Sequence, residues 1–176
     1  MKLSVNQINP NPINEQIYSP TEMEDLELSL KTHGQLEPIV LTKAHTLISG
    51  HRRFYAIKRL GWEECDVRIQ DPKNVIVSLI EFNRHRVKSV SDILNESRFL
   101  EKELRKDIGR GSHVAKKNGR RMVTVIEVSK KLGVSTTQLK KIKSISNYDP
   151  DILARVDAGE LSINQGYDLV RKKYIL

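Results

Sequence analysis

One stretch constrains this chain more than any other: a strand that passes through a glycine into a helix carrying cations on its first turn. It reads Leu47-Ile48-Ser49-Gly50-His51-Arg52-Arg53-Phe54-Tyr55-Ala56-Ile57-Lys58-Arg59-Leu60-Gly61. Leu47 and Ile48 end a short apolar run, Ser49-Gly50 is a turn, and Phe54, Ile57 and Leu60 recur at helical spacing before Gly61 closes the helix. A helix start presents main-chain N–H groups and a partial positive charge, both of which attract anions. Arg52 and Arg53 add planar cationic forks that suit phosphate oxygens. The residues alone fit two readings, a phosphate site and a plain strand-to-helix turn with solvated arginines.

Charge separates the two ends of the chain. Its 176 residues carry 30 Lys and Arg against 22 Asp and Glu, a net charge of +8. Residues 1–50 hold 3 basic and 6 acidic residues, whereas residues 101–146 hold 13 basic and 4 acidic. A regional excess of this kind predicts a polyanion-binding face in the second half rather than general solubilisation. Cys65 is the single cysteine, so neither a disulfide framework nor a paired-cysteine metal site can be built. No leader-like or membrane-spanning run is present, and the chain reads as soluble and cytoplasmic with no membrane partner.

The first half mixes short strands and helices in an α+β manner. Residues 1–18, rich in Asn and Pro, predict an extended leading segment with room for a short edge strand. Ser19-Pro20-Thr21-Glu22 reads as a capping box opening a helix through Met23, Leu26 and Leu30 that stops at Gly34. Ile39-Val40-Leu41 and Thr46-Leu47-Ile48 are β-prone runs around a polar turn, and Cys65–Ile69 alternates like a half-buried strand. Asp71-Pro72 is read as the start of a helix through Val75, Leu79 and Phe82.

From Ser91 onward the pattern is helical. Ile93, Leu94, Ser97, Leu100 and Leu104 mark one amphipathic helix. Residues 109–121, with three glycines and five basic residues, read as a mobile basic loop that orders on a polyanion or as an insertion of no consequence. Thr124–Glu127 and Ser135–Gln138 are capping boxes flanking the turn Gly133-Val134-Ser135, with Leu139 and Ile142 inward. Helix, glycine turn and second helix with basic flanks is the helix-turn-helix pattern, over about residues 124–146. Thr136, Thr137 and Gln138 are candidates for DNA bases, with the capping Ser135 beside them. Arg120, Arg121, Lys140, Lys141 and Lys143 are the basic candidates, the three lysines spread over more than one helix face so that only some reach phosphate. An ordinary helical hairpin with solvated lysines satisfies the same spacing. Asp149-Pro150 and Ser162–Gln165 open two further helices, the last ending in Arg171-Lys172-Lys173.

Four short motifs in order resemble the ParB family of chromosome and plasmid partition proteins. Ser49–Arg53 is similar to the family's Gly-Glu-Arg-Arg, and Gly34-Gln35-Leu36-Glu37-Pro38-Ile39 to its Gly-x-x-Gln-Pro-Ile. Leu79–Arg86 resembles Glu-Asn-x-x-Arg, and Gly159–Ser162 the segment after the family's helix-turn-helix. The resemblance implies a ParB- and sulfiredoxin-like domain over 1–88 that takes a nucleotide triphosphate, CTP with Mg2+, and a helical DNA-binding domain over 89–176. It assigns Gly34, Gln35, Pro38 and Ile39 to the base and phosphate region, and Ser49, Gly50, His51, Arg52, Arg53 and Arg86 to the nucleotide. Glu81 and Asn83 are the implied Mg2+ residues, with Glu81 the only catalytic candidate. It further implies a homodimer when nucleotide or DNA is bound, and a partition ATPase as partner.

Three departures refine this. His51 stands where the family has Glu, and Phe82 separates Glu81 from Asn83, which are adjacent in the family. The chain also stops soon after its last helix, where partition proteins continue to a dimerisation domain. Together these predict binding with slow or no CTP hydrolysis, in a smaller relative of the kind phages, plasmids or other mobile elements carry. A transcriptional regulator with no nucleotide dependence is the alternative, followed by a ParB-like kinase acting on free serine. The related reductase needs a cysteine beside the phosphate residues, and Cys65 lies elsewhere. The remaining histidines lack metal-ligand spacing, and Trp62 reads as a core plug beside Ile57.

Overall fold

The computed structural model describes residues 1–20, 22–107, 116–117, 120–121 and 123–174. They fall into two compact units, Met1–Asn83 and Arg84–Leu176.

The first unit is built on a four-stranded sheet. Its strands are β1 (Lys2–Ser4), β2 (Ile39–Leu41), β3 (Leu47–Ser49) and β4 (Glu64–Ile69), in the order β1-β4-β2-β3. β2 and β4 run parallel with Ile39 opposite Val67, while β1 and β3 are antiparallel to their neighbours. The central strand β2 is buried along its whole length. β4 alternates as its sequence predicts: Cys65 and Val67 face the core.

Around the sheet lie α1 (Pro12–Ile17), α2 (Glu24–His33), α3 (His51–Arg59) and α4 (Val75–Phe82). Phe54, Ala56 and Ile57 of α3 fill the core with Ile39, Leu41, Leu47 and Val67, and Trp62 packs against that cluster half-buried. α2 lies against α3, tied by Arg59 to Glu27 at 3.0 Å, and α4 packs on β3. Three sequence readings need correction here. Residues 12–17 are helical rather than extended, because Asn11 accepts from the Ile13 N–H and Pro12 takes the first helical position. α2 starts at Glu24 with no side-chain cap, later than the Ser19 box predicts; Thr21 lies outside the described residues. α4 is capped by Asn74, whose Oδ1 accepts from Ile76 and Val77, and not by Asp71-Pro72.

The second unit is helical: α5 (Val90–Asp107), α6 (Val125–Leu132), α7 (Thr136–Tyr148), α8 (Pro150–Asp157) and α9 (Ile163–Tyr174). Its core joins Leu94 and Leu100 of α5 to Val128, Leu132, Leu139, Ile142, Ile145, Leu153, Val156 and Val170. Side-chain caps set the helix starts: Thr124 accepts from Glu127, Ser135 from Gln138 and Asp149 from Ile152. Ser162 and Gln165 cap each other's main chain reciprocally. The start of α5 is held from a distance, since the Asp157 carboxylate accepts from the Val90 and Ser91 main chain.

Gly166 sits where α9 crosses its neighbours, and a Cβ there would lie 2.9 Å from Val156 Cγ2. Of loop 109–121, the described main chain at Lys116–Lys117 (β5) and Arg120–Arg121 (β6) forms an antiparallel pair, so that part is not the unstructured loop expected. The rest of the loop, and the side chains of Arg120 and Arg121, lie outside what is described.

Candidate nucleotide and DNA sites

Gly50 takes a left-handed conformation, φ 92° and ψ 24°, that lets the chain turn from β3 directly into α3. A glycine has no side chain to cap the helix, and no acidic residue stands in its first turn. Arg52 and Arg53 follow at once. Arg52 is exposed and donates through Nη2 to the Glu22 carbonyl at 2.7 Å. Arg53 donates through Nη2 to Glu37 Oε2 at 3.0 Å and through Nη1 to the Pro38 carbonyl at 3.4 Å. Its Nη1 also lies 3.4 Å from where a Cβ on Gly50 would be, so the guanidinium lies over the helix start. Ser49, Gly50, Arg52, Arg53 and Pro38 therefore share one corner of the first unit.

Four further sequence candidates are buried or engaged within the protein. His51 is buried at 6% exposure. Ile39 is fully buried, leaving only its main chain for a ligand. Gln35 spends its side-chain amide on the protein: Nε2 donates to the carbonyls of Glu37 and Asp66, and Oε1 accepts from the Asp66 N–H. Gly34, at φ 71°, closes α2 by donating to the Leu30 carbonyl at 2.9 Å. These residues shape the 34–38 loop. Glu37 was not singled out from the sequence, yet it is the side chain paired with Arg53. Its place three residues after Gly34, where the resembling motif has Gln, was the available signal.

On α4, which packs on β3, Glu81 is exposed near the helix end and Asn83 forms its C-cap. The Asn83 amide turns back to donate to the Leu79 carbonyl at 2.8 Å. Arg86 belongs to the second unit. Among the described residues, no three His, Cys, Asp or Glu gather where they could hold a metal ion. Cys65 is buried on β4, and burial pushes its thiol above the usual range, so a reactive thiolate is disfavoured there.

In the second unit, α6 and α7 are joined by Gly133, left-handed at φ 72°. Ser135 caps α7 and Thr137 is exposed at its start, with Gln138 half-buried one residue on. Thr136 instead turns toward α6, its hydroxyl 3.4 Å from Ser129 Oγ. The three lysines part company. Lys140 is exposed. Lys141 donates to Asn164 Oδ1 at 2.8 Å and lies 5.5 Å above the Tyr167 ring, in a groove of about 310 Å3 between the starts of α7 and α9. Lys143 is paired with Glu101 of α5. The helical spread of the three lysines over more than one face is seen in the sequence, but their partners are not, since Glu101 and Asn164 are 42 and 23 residues away. No helix among the described residues is long and apolar enough to cross a membrane.

Comparison with known proteins bears on the family and the fold. Residues 1–82 match the profile of the ParB N-terminal domain family. A nucleoid occlusion protein of Oceanobacillus iheyensis is 30% identical over 111 residues, which are 57% of this chain and 39% of that protein. A nucleoid occlusion protein of Lysinibacillus sphaericus is 29% identical over 110 residues, 57% of this chain and 37% of its own length. The chain thus matches well under half the length of these relatives. A pNOB8-like ParB N-domain superposes over 98% of this chain and 80% of its own, with a TM-score of 0.70 at 18% identity. A C-terminally truncated chromosome-partitioning protein ParB from Caulobacter crescentus, complexed to the centromeric parS site, covers 98% of this chain and 99% of its own. Its TM-score is 0.51 at 19% identity, a likeness of fold.

Proposed function

We propose that this chain, whose residues 1–82 match the ParB N-terminal domain family, binds a nucleoside triphosphate at the start of α3 and DNA on the α6–α7 pair. The observation that carries the first half is the corner where Arg52 and Arg53 flank a glycine-started helix with no acid in its first turn. Two guanidinium groups and the first N–H groups of a nine-residue helix fit a polyphosphate chain. CTP is the triphosphate the family resemblance favours, supplying the charge that Arg52 and Arg53 would hold.

Mg2+ fits only as an ion carried mainly by the phosphates and water, as is usual for this cation. Glu81 and Asn83 are the residues of this chain that would complete its shell. DNA would meet Thr137 and Gln138 at the start of α7, with Lys140 and Lys141 at its backbone. Ser135, as the cap, holds that helix start in place. Pairing of two copies with nucleotide or DNA bound, and a partition ATPase as partner, belong to the same reading, as does carriage on a mobile element.

Calorimetric titration of CTP, ATP, GTP and UTP with Mg2+ tests it. The expected result is selective binding of CTP. Equal affinity for all four, at a Kd of about 1 mM or weaker, would overturn it.

A further inference from the structure

The pair formed by Glu37 and Arg53 is unequal. The arginine side chain keeps 22% of its exposure while that of Glu37 keeps 77%, so the cation is held in place and the carboxylate stands in water. Arg53 is fixed by more than this pair, through its hydrogen bond to the Pro38 carbonyl and its closeness to Gly50. Its guanidinium is therefore held over the helix start through Nη1, with a carboxylate oxygen already on Nη2 at 3.0 Å. A carboxylate oxygen and a phosphate oxygen ask for the same donor geometry. The motif that residues 34–39 resemble has a neutral amide at this position, so the negative charge is this chain's own.

We propose that Glu37 sets which anions the start of α3 accepts: it occupies Arg53 in place of a phosphate oxygen and makes binding of a triphosphate depend on a divalent cation. The inference rests on the nucleotide-binding reading above and adds to it a residue that governs ligand charge. Displacing Glu37 costs little, because an ion pair with one partner in water contributes little. Its charge nevertheless stays beside the ligand once displaced. A metal-free triphosphate meets that charge as repulsion, whereas a triphosphate that arrives with Mg2+ has two of its negative charges offset.

The test compares the full chain with Glu37→Gln and Arg53→Ala. CTP and inorganic tripolyphosphate are titrated calorimetrically at low ionic strength, once with EDTA and once with Mg2+. Removing one like charge about 5 Å from the ligand should tighten metal-free binding in Glu37→Gln by about threefold to tenfold. With Mg2+ the gain should shrink below about twofold, and tripolyphosphate should follow CTP because the effect acts on phosphate. Arg53→Ala should weaken both ligands in both conditions.

Equal metal-free affinity in wild type and Glu37→Gln, with Arg53→Ala still weakened, overturns the role of Glu37 and leaves nucleotide binding standing. A gain in Glu37→Gln that Mg2+ does not reduce overturns the cation dependence. If no variant binds either ligand in either condition, the nucleotide reading falls and this inference with it.

Discussion

Gln35 and Asp66 exchange two hydrogen bonds of 2.7 Å, the side-chain amide of one against the main-chain N–H and carbonyl of the other. Asp66 lies on β4 one residue before Val67, which faces Ile39 at the start of β2. The amide of Gln35 thus serves β4 as a strand residue would, just ahead of where β2 begins. The third bond, to the Glu37 carbonyl at 2.9 Å, bends residues 34–38 around the same side chain.

Gln35→Ala should therefore act first on stability. It leaves a partly buried N–H and carbonyl unmatched, at a cost of about 1–3 kcal/mol. Trp62 is the only tryptophan and sits in the first unit, so its fluorescence in a urea titration isolates the change. An unchanged midpoint would show that the loop holds without Gln35.

Arg52→Ala should weaken CTP binding by about 1.5–3 kcal/mol, the range for a hydrogen bond to a charged group. Its one hydrogen bond described in the protein is to the Glu22 carbonyl, so the urea midpoint should move far less than for Gln35→Ala. Calorimetry and Trp62 fluorescence on the same preparation separate the two effects.

CTP hydrolysis should be slower than about 1 per second. Asn83 sits two residues beyond Glu81, and the hydrogen bond from its Nδ2 to the Leu79 carbonyl at 2.8 Å fixes which way its amide oxygen faces. Faster phosphate release would mean that Asn83 reorients around the ligand.

The lysines of α7 should separate in a salt series. Lys140→Ala should flatten the slope of log affinity against log salt by about 0.9 on cognate and scrambled DNA alike. Lys143→Ala should leave that slope unchanged and lower the thermal stability of the second unit, because its charge is spent on Glu101. Gln138→Ala should erode preference for the cognate site by about 1–3 kcal/mol without touching the slope. A slope change in Lys143→Ala equal to that in Lys140→Ala would refute the division.

Asp149 gives the second unit a dependence on acid. Lys173 Nζ at 3.0 Å, foremost, with the Tyr174 hydroxyl at 3.1 Å and the Ile152 N–H, holds its carboxyl below the usual range against the opposing effect of burial. A carboxyl lowered on folding stabilises fully above its unfolded value of about 3.9, and the contribution is lost as pH falls through the lowered one. Asparagine keeps a cap but not the charge. The Tm gap between wild type and Asp149→Asn, read by circular dichroism, should be constant above about pH 5 and close on further acidification. A gap that persists into acid would overturn this account.

Local periodicity carried much of the fold. The alternation of β4, the strand–glycine–helix passage at Gly50 and the caps at Thr124, Ser135, Asp149 and Ser162 each depend on residues a few positions apart. The Asn- and Pro-rich composition that predicts an extended segment over residues 1–18 hides α1, because Asn11-Pro12 supplies a cap and a first helical residue. At the candidate site, the turn of Ser49–Arg53 was legible for the same local reason. The amide of Gln35 bound to Asp66 and the charge of Lys143 bound to Glu101 were not, since each partner is set by packing 31 and 42 residues away.

β4 pairs with β1 on one side and β2 on the other. A growing polypeptide therefore holds three strands of the first unit before the one that joins them has left the ribosome. Until residues 64–69 arrive, β1 has no neighbour and β2 offers an open, wholly apolar edge. Such an edge is a template for aggregation. A premature stop codon or a stall ahead of residue 64 would release a fragment of that kind, whereas one placed after residue 83 would release the whole sheet.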